Sequence, residues 1–370
     1  MRLRRGSTEP EPQPDSFRRG TWRLGVALVV PLALIAATVR GTGGFSGSST
    51  PMAAVRTTVA KAVGALPVRQ SCVANRLPTP GGGRGNATAV SSNGLVVGIA
   101  TDSTGLTYPI LWDHGKATKI PAQLFGAVPT SVNQDGVVVG TAYGKAQNIP
   151  VGWWWAAGRD VQLLSVNSGE VAIPEAINDD GAVVGAIVND EEQAESEAVD
   201  DVERAAYWPS VHGIAQPLGP LQGDEGAHAY TISRSGVIGG VSSGANFRPV
   251  IWDRAGQPTE LQTGGSRAGA VRGFVRAGGP AGEAVLPGSG LQLVQWDAAG
   301  QAQPLGSEQV LATLRLGATS IGKLPVAPVS SARAVEAVAV AATAVGEGTQ
   351  LVGYTVVSDG SRFATSWRCS

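Results

Sequence analysis

The chain is short of most residues on which enzymes build their chemistry. Three histidines, His114, His212 and His228, are scattered through 370 residues, and two cysteines, Cys72 and Cys369, lie near the two ends of the outer part. No C-x-x-C pair occurs, which excludes the usual zinc spacings. Three dispersed histidines also leave little from which to build a Ser-His or Cys-His pair. Charged residues make up 15% and the formal net charge is −1, so the electrostatic footprint of a nucleic-acid-binding protein is missing. Disorder is excluded from the other side, because it needs high net charge and few hydrophobes, and 43% of this chain is apolar. No phosphate-cradling glycine loop is apparent. Outside one acidic stretch the carboxylates sit mostly at turn positions such as Asp113, Asp135, Asp179, Asp180, Asp253 and Asp297, where they have a local reason to exist. On this reading the chain has no catalytic residue, no metal ligand and no cofactor.

Glycine is abundant, at 51 residues, and with valine and alanine it suits many short strands joined by tight turns. One long apolar run stands apart, Leu24 to Val39, preceded by Trp22 and Arg23 and followed by Arg40. Arg2, Arg4, Arg5, Arg18 and Arg19 precede it, so the positive-inside rule places the N-terminus in the cytoplasm and the rest outside. Residues 1–21 then form a basic cytoplasmic tail, 22–39 a single transmembrane helix and 40–70 an extracellular linker, with Gly, Ser and Thr from Gly41 to Thr50. A clean small-x-small site is missing after the run, which favours an uncleaved anchor. Cleavage would instead give a secreted protein.

Residues 71–370 repeat themselves. A motif such as SVNQDGVVVG or AINDDGAVVG recurs six times, closing on Gly98, Gly140, Gly185, Gly240, Gly282 and Gly353. A tryptophan-bearing strand follows each, with Trp112, Trp154, Trp208, Trp252, Trp296 and Trp367 assigned by their separation from those glycines. Each unit, about 42 residues long, reads as four short strands with a glycine turn after the first, which is the size of a propeller blade. A single such sheet cannot bury both faces, whereas six stacked around an axis can. The recurring tryptophans are then expected between blades. The expected fold is an all-β, six-bladed β-propeller behind one N-terminal transmembrane helix.

The last unit stops one strand short at Trp367-Arg368-Cys369-Ser370, and the missing strand appears at the start of the domain as residues 72–78. Leu77-Pro78 matches Ile120-Pro121 of unit one, so the last blade is expected to be closed by the N-terminal strand. That alignment makes Cys72 and Cys369 cross-strand neighbours within disulfide reach, and export supplies the oxidising compartment.

The units resemble the HAF repeat of bacterial extracellular proteins, Ile-Asn-x-x-Gly-x-Val-Val-Gly followed by an aromatic-Trp strand. The match is best at Val132–Gly140 and Ile177–Gly185, while units five and six lose the Asn. The resemblance implies an extracellular propeller-like domain and no particular activity.

Two insertions interrupt the repeats. One is acidic, 190–203, and reads as a solvated loop, since it lacks the D-x-D-x-D-G pattern of a cation loop. The other, 307–344, is Ala/Val-rich and is expected over one face of the ring. Trp153 and Trp155 flank the repeat tryptophan on one strand face and are the candidate binding residues, as a stacking platform for a sugar or aromatic group, with blade-to-blade packing as the competing explanation. Asn86-Ala87-Thr88 fits a glycosylation sequon.

Two functions follow. One is a non-catalytic, membrane-tethered binding or scaffolding module of the cell envelope, with an envelope protein or glycan as partner. The alternative is a propeller hydrolase or lyase acting on envelope polysaccharide. A deep central pocket lined by acids or a His-acid pair would favour the enzyme. An axial channel filled with Gly, Ala and Val would favour the module.

Overall fold

A computed structural model describes residues 72–143, 150–189, 203–266, 268–275, 278–305, 311–320, 334–345 and 348–369. The basic tail, the apolar run 22–39 and the linker lie outside these residues, as do 190–202 of the acidic insertion. Among the described residues no helix is long and apolar enough to cross a membrane.

The fold is an all-β, six-bladed propeller. Blade one comprises Arg84–Val90, Val96–Thr101, Thr107–Asp113 and Lys116–Lys119. Blade two comprises Phe125–Val132, Val138–Tyr143, Pro150–Trp155 and Gln162–Leu163. Blade three comprises Glu170–Ile177, Val183–Asn189, Arg204–Trp208 and Gln216–Pro217, and blade four Gly226–Ile232, Ile238–Ser243, Phe247–Trp252 and Pro258–Glu260. Blade five comprises Gly269–Val275, Pro280–Leu286, Gly290–Trp296 and Ala302–Pro304. Ala334–Val345, Gly348–Val357 and Arg362–Cys369 form blade six, and Cys72–Arg76 lies antiparallel along the last of these. Within the described residues the strand ladders are antiparallel, with two isolated parallel bridges, and the first strands of successive blades touch one another except between blades five and six, where Leu311–Ser320 intervenes; these strands make the inner wall.

The sequence motif has a physical reason at each position. Asn133 opens the turn after the first strand. Its Oδ1 accepts from the Asp135 and Val137 amides, and Gly136 follows at φ 75°, giving a three-residue loop with a bulge at the glycine. Its Nδ2 donates to the Asn178 carbonyl in the next blade, and Asn178 Nδ2 donates to the Ser233 carbonyl one blade further on. The asparagine thus shapes its own hairpin and ties it to a neighbour. Asp253 and Asp297 do comparable local work, each accepting two amides of its own turn.

The closing glycine answers a bulge. Every first strand shifts register beside the repeat glycine, at Thr88, Thr130, Glu175, Tyr230, Arg272 and Val340, and those of blades two and six shift a second time near their starts. The backbone carbonyl two residues before each bulge presses on the repeat glycine of the second strand. A Cβ on Gly98 would lie 2.1 Å from the Asn86 oxygen, and one on Gly240 would lie 2.0 Å from that of His228. Only glycine leaves room.

The tryptophans bury their rings between blades and bridge them. Trp112, Trp208, Trp252 and Trp296 donate their indole N–H to the carbonyls of Pro78, Ser165, Gly219 and Gln262. Each acceptor directly follows the closing leucine of the preceding blade, Leu77, Leu164, Leu218 or Leu261. In blade two the register corrects the sequence assignment. Val138, two residues before Gly140, pairs with Trp155, just as Val96 pairs with Trp112 and Val183 with Trp208. Trp155, not Trp154, is therefore the repeat residue, because the connection between second and third strands is one residue longer there. Its indole N–H is buried without a partner among the described residues, and the chain after the closing Ile120 turns tightly on itself, the Ala122 amide donating to the Ile120 carbonyl.

Cys72 lies opposite Cys369 and the two form a disulfide across 297 residues of sequence. The second insertion contributes strands: Leu311–Ser320 pairs with the first strands of both blade five and blade six, and Ala334–Val345 is itself the first strand of blade six.

Candidate functional site

The buried ionisable residues of the inner wall collect on blades three, four and five. Glu175, Tyr230 and Arg272 are bulge residues there. A bulge interrupts strand alternation and re-aims a side chain. His228, on the first strand of blade four, is 3% exposed. Its Nδ1 lies 2.6 Å from Glu203 Oε2 and its Nε2 3.5 Å from Glu175 Oε1. The first contact is a hydrogen bond; the second is an ion-pair distance without hydrogen-bond geometry. The imidazole stacks on Tyr230 with centroids 4.5 Å apart, and the Arg272 guanidinium carbon lies 3.8 Å from the same ring's centroid. Arg272 in turn donates to Glu283 on the second strand of its blade. Three carboxylates thus face two cations and an aromatic ring, across three blades.

Burial alone would make His228 less basic, but the Glu203 and Glu175 carboxylates override it and raise its pKa to about 9. The imidazole is therefore protonated at neutral pH. Burial pushes the Tyr230 phenol well above its ordinary value, and its hydroxyl is buried without a partner among the described residues. Burial would depress Arg272, but the neighbouring Tyr230 and carboxylates raise it on balance. Chemically the array offers an imidazolium N–H, a neutral phenol and a carboxylate close together. The protonated imidazole itself cannot serve as a base near neutral pH.

At the turn end of the ring, Asp179 of blade three gathers other blades. Its carboxylate accepts from Ser92 of blade one, the Gln134 amide of blade two and Arg234 of blade four. This carboxylate is engaged in holding turns together.

The residues singled out from sequence fall elsewhere. Trp153 and Trp155 do share a strand face, and both are buried against blade one, packed with Val97, Leu111 and Ile120. Asn86 is buried in the first strand of blade one, so its sequon is closed to a glycan. The acidic insertion contributes Glu203 to the cluster through its last residue. His228, Glu175, Tyr230 and Arg272 escaped the sequence reading. Their signal was there: aligning the units on the glycine puts Thr88, Thr130, Glu175, Tyr230 and Arg272 in one column, polar or aromatic in strands rich in small and apolar residues.

The chain matches no protein-family model and no curated protein. Among solved structures it is similar to a candidate gluconolactonase, at 12% identity and a TM-score of 0.40, covering 83% of this chain and 94% of that one. A protein of unknown function from Dyadobacter fermentans aligns at 11% identity and a TM-score of 0.44, covering 82% and 99%. A puromycin hydrolase variant aligns at 14% identity and a TM-score of 0.39, covering 73% of this chain and 44% of its own.

Proposed function

We propose that this chain is a membrane-tethered extracellular propeller of the HAF-repeat kind, which binds or scaffolds a component of the cell envelope and does no chemistry itself. The observation that carries the reading is the state of His228. It is buried and held by two carboxylates with its pKa at about 9. A general base must be unprotonated near the working pH, and this imidazole is not. The cluster reads as a fastening between blades three, four and five. The disulfide supports an oxidising compartment. Cys72–Arg76, paired along blade six, acts in this reading as the strand that closes the ring, and residues 22–39 as the anchor.

The test is retention of envelope fractions, protein and polysaccharide separately, by the full chain in detergent. Retention of neither would sink the reading. Mass spectrometry of the exported protein checks the anchor: an intact Met1-to-Val39 segment is expected, and a mature N-terminus after residue 39 would make the protein secreted.

A second reading is a hydrolase or lyase acting on envelope polysaccharide. A specific feature favours it, because Glu175, Glu203 and His228 are the His-acid grouping expected of such a site, and they lie at the inner wall. Release of reducing ends or unsaturated sugars from envelope polysaccharide, abolished in Glu175→Gln, would establish it over the first.

A further inference from the structure

The residue before the repeat tryptophan on the third strand turns its side chain toward the following blade. In blade two it is Trp154, which is 4% exposed, packs with Leu164 and Trp208 and meets His212 edge-on at 4.8 Å. That large ring fills the space between blades two and three. In blade three the same position is Tyr207, which packs on the cluster between blades three and four and remains half-buried. The smaller ring leaves a groove of about 330 Å³ there, at the end of the ring that carries the turns.

This groove has the make-up of a small-ligand site. Leu218 and Ile238 form its apolar part, Tyr207 supplies an aromatic ring, and Asp180, Gln216 and Arg254 supply polar groups. The Asp180 carboxylate, the Gln216 amide and the Tyr207 hydroxyl have no hydrogen-bond partner among the described residues. Arg254 donates through Nε to the Ser235 carbonyl, leaving both terminal nitrogens unengaged by any described residue. Asp253, by contrast, spends its carboxylate on its own turn.

We propose that the groove between blades three and four binds a neutral saccharide. Two carboxylates, Asp180 and Asp253, against the one guanidinium of Arg254 leave the lining with a single net negative charge, which disfavours an anionic ligand and suits a neutral one. Sugar hydroxyls donate and accept at once, which suits a free carboxylate beside free N–H and O–H donors. The C–H faces of a sugar ring suit Tyr207. The proposal rests on the reading of the chain as an envelope-binding module and names the class of ligand.

The full chain, in a detergent without a sugar headgroup, is titrated with chitotetraose, maltotetraose and mannotetraose by calorimetry. At least one is expected to bind. Tyr207→Ala and Asp180→Asn are each expected to weaken it at least tenfold, and Tyr207→Phe only a few-fold, since it keeps the ring. Asp180 is exposed and Tyr207 half-buried, so unfolding temperatures near wild type should accompany these losses. The proposal is overturned if none of the three glycans binds, or if binding survives both Tyr207→Ala and Asp180→Asn. Retention of an envelope fraction, measured on the same variants, separates the two claims. Retention unchanged by the substitutions removes the groove and leaves the binding module standing, whereas no retention by the wild type removes the module itself.

Discussion

At the bulge of the inner strand, blades one and two carry Thr88 and Thr130, whereas blades three, four and five carry Glu175, Tyr230 and Arg272. The backbone around them is the same. In each blade a carbonyl presses on a glycine of the second strand. In blades one and two the bulge residue satisfies itself on the next blade: Thr88 Oγ1 donates to the Pro129 carbonyl at 2.7 Å and Thr130 Oγ1 to that of Pro174 at 2.9 Å. In blades three to five the same reach to the neighbour is made with ionisable and aromatic groups, and it needs His228, Glu203 and Glu283 to balance it. The scaffold therefore fixes where a side chain points and leaves open what it is. One half of the wall is fastened by neutral hydrogen bonds and the other by charge.

The shared part should break first and equally in both halves. Gly98→Ala in blade one and Gly185→Ala in blade three each place a methyl about 2 Å from a backbone carbonyl oxygen. Backbone cannot swing aside as a side chain can, so each is expected to destabilise by about 4 kcal/mol or more. Denaturant unfolding checks this. A cost below about 1 kcal/mol at either site would mean that the bulge is not imposed by the fold.

The halves should then part company. Glu175→Gln removes one carboxylate from a buried cluster and leaves its cations under-balanced, a loss of about 3 kcal/mol. Glu203→Gln should cost less, because that side chain is 32% exposed and solvent screens it. A Glu175→Gln loss no larger than that of Glu203→Gln would show that burial does not set the strength of this array.

Acidity sharpens the contrast further. His228 titrates at 6.5 when unfolded and about 9 when folded. A raised folded value means that the ion pairs contribute fully below pH 6.5 and are lost as pH rises through about 9, on the order of 3 kcal/mol. The unfolding temperature is expected to fall across that window in the wild type and to stay flat in His228→Gln. A wild-type curve already flat from pH 6.5 to 9 would mean that His228 is neutral in the fold, which would also revive it as a base.

Much of this frame was legible in the residues, and the reasons are local. Asn133, Gly136 and Gly140 each answer a demand of one hairpin: the closing glycine shows in all six copies, the turn glycine in five, and the asparagine recurs at Asn178 with Ser91 and Ser233 in its place in blades one and four. The cysteine pairing was legible because residues 72–78 match the fourth strand of a unit, and Cys72–Arg76 does lie along Arg362–Cys369. Counting from Gly140 to find the tryptophan assumed equal connections, and one extra residue moved the answer from Trp155 to Trp154. The pairing of Val138 with Trp155 is the safer guide, because the ladder counts from the strand and not across the loop. The inner-wall cluster was hidden for a different reason. A bulge breaks the period-two alternation by which inward and outward residues are told apart. His228 and Glu203 are also 25 residues apart, joined only when blades three and four stack. The second insertion misled because it holds an inner strand, Ala334–Val345, whose uniform small residues carry no alternation to read.

The smallest effect belongs to the neutral half and tests the comparison from its quiet side. Thr130→Val keeps shape and removes the hydroxyl that donates to the Pro174 carbonyl. One neutral hydrogen bond contributes about 1 kcal/mol, and the carbonyl it leaves behind sits beside the Glu175 bulge. Thr88→Val is the matched change one blade earlier, where the acceptor is Pro129 and no charged bulge adjoins. If the two halves are separate fastenings, both valines cost the same, neither alters the pH profile set by His228, and Thr88→Val adds to Glu175→Gln without coupling. If Thr130→Val instead shifts that profile or couples to Glu175→Gln by more than about 0.5 kcal/mol, the charge array extends into blade two through the Pro174 carbonyl. The inner wall would then be one polar network that thins out, and the division between its halves would be a gradient.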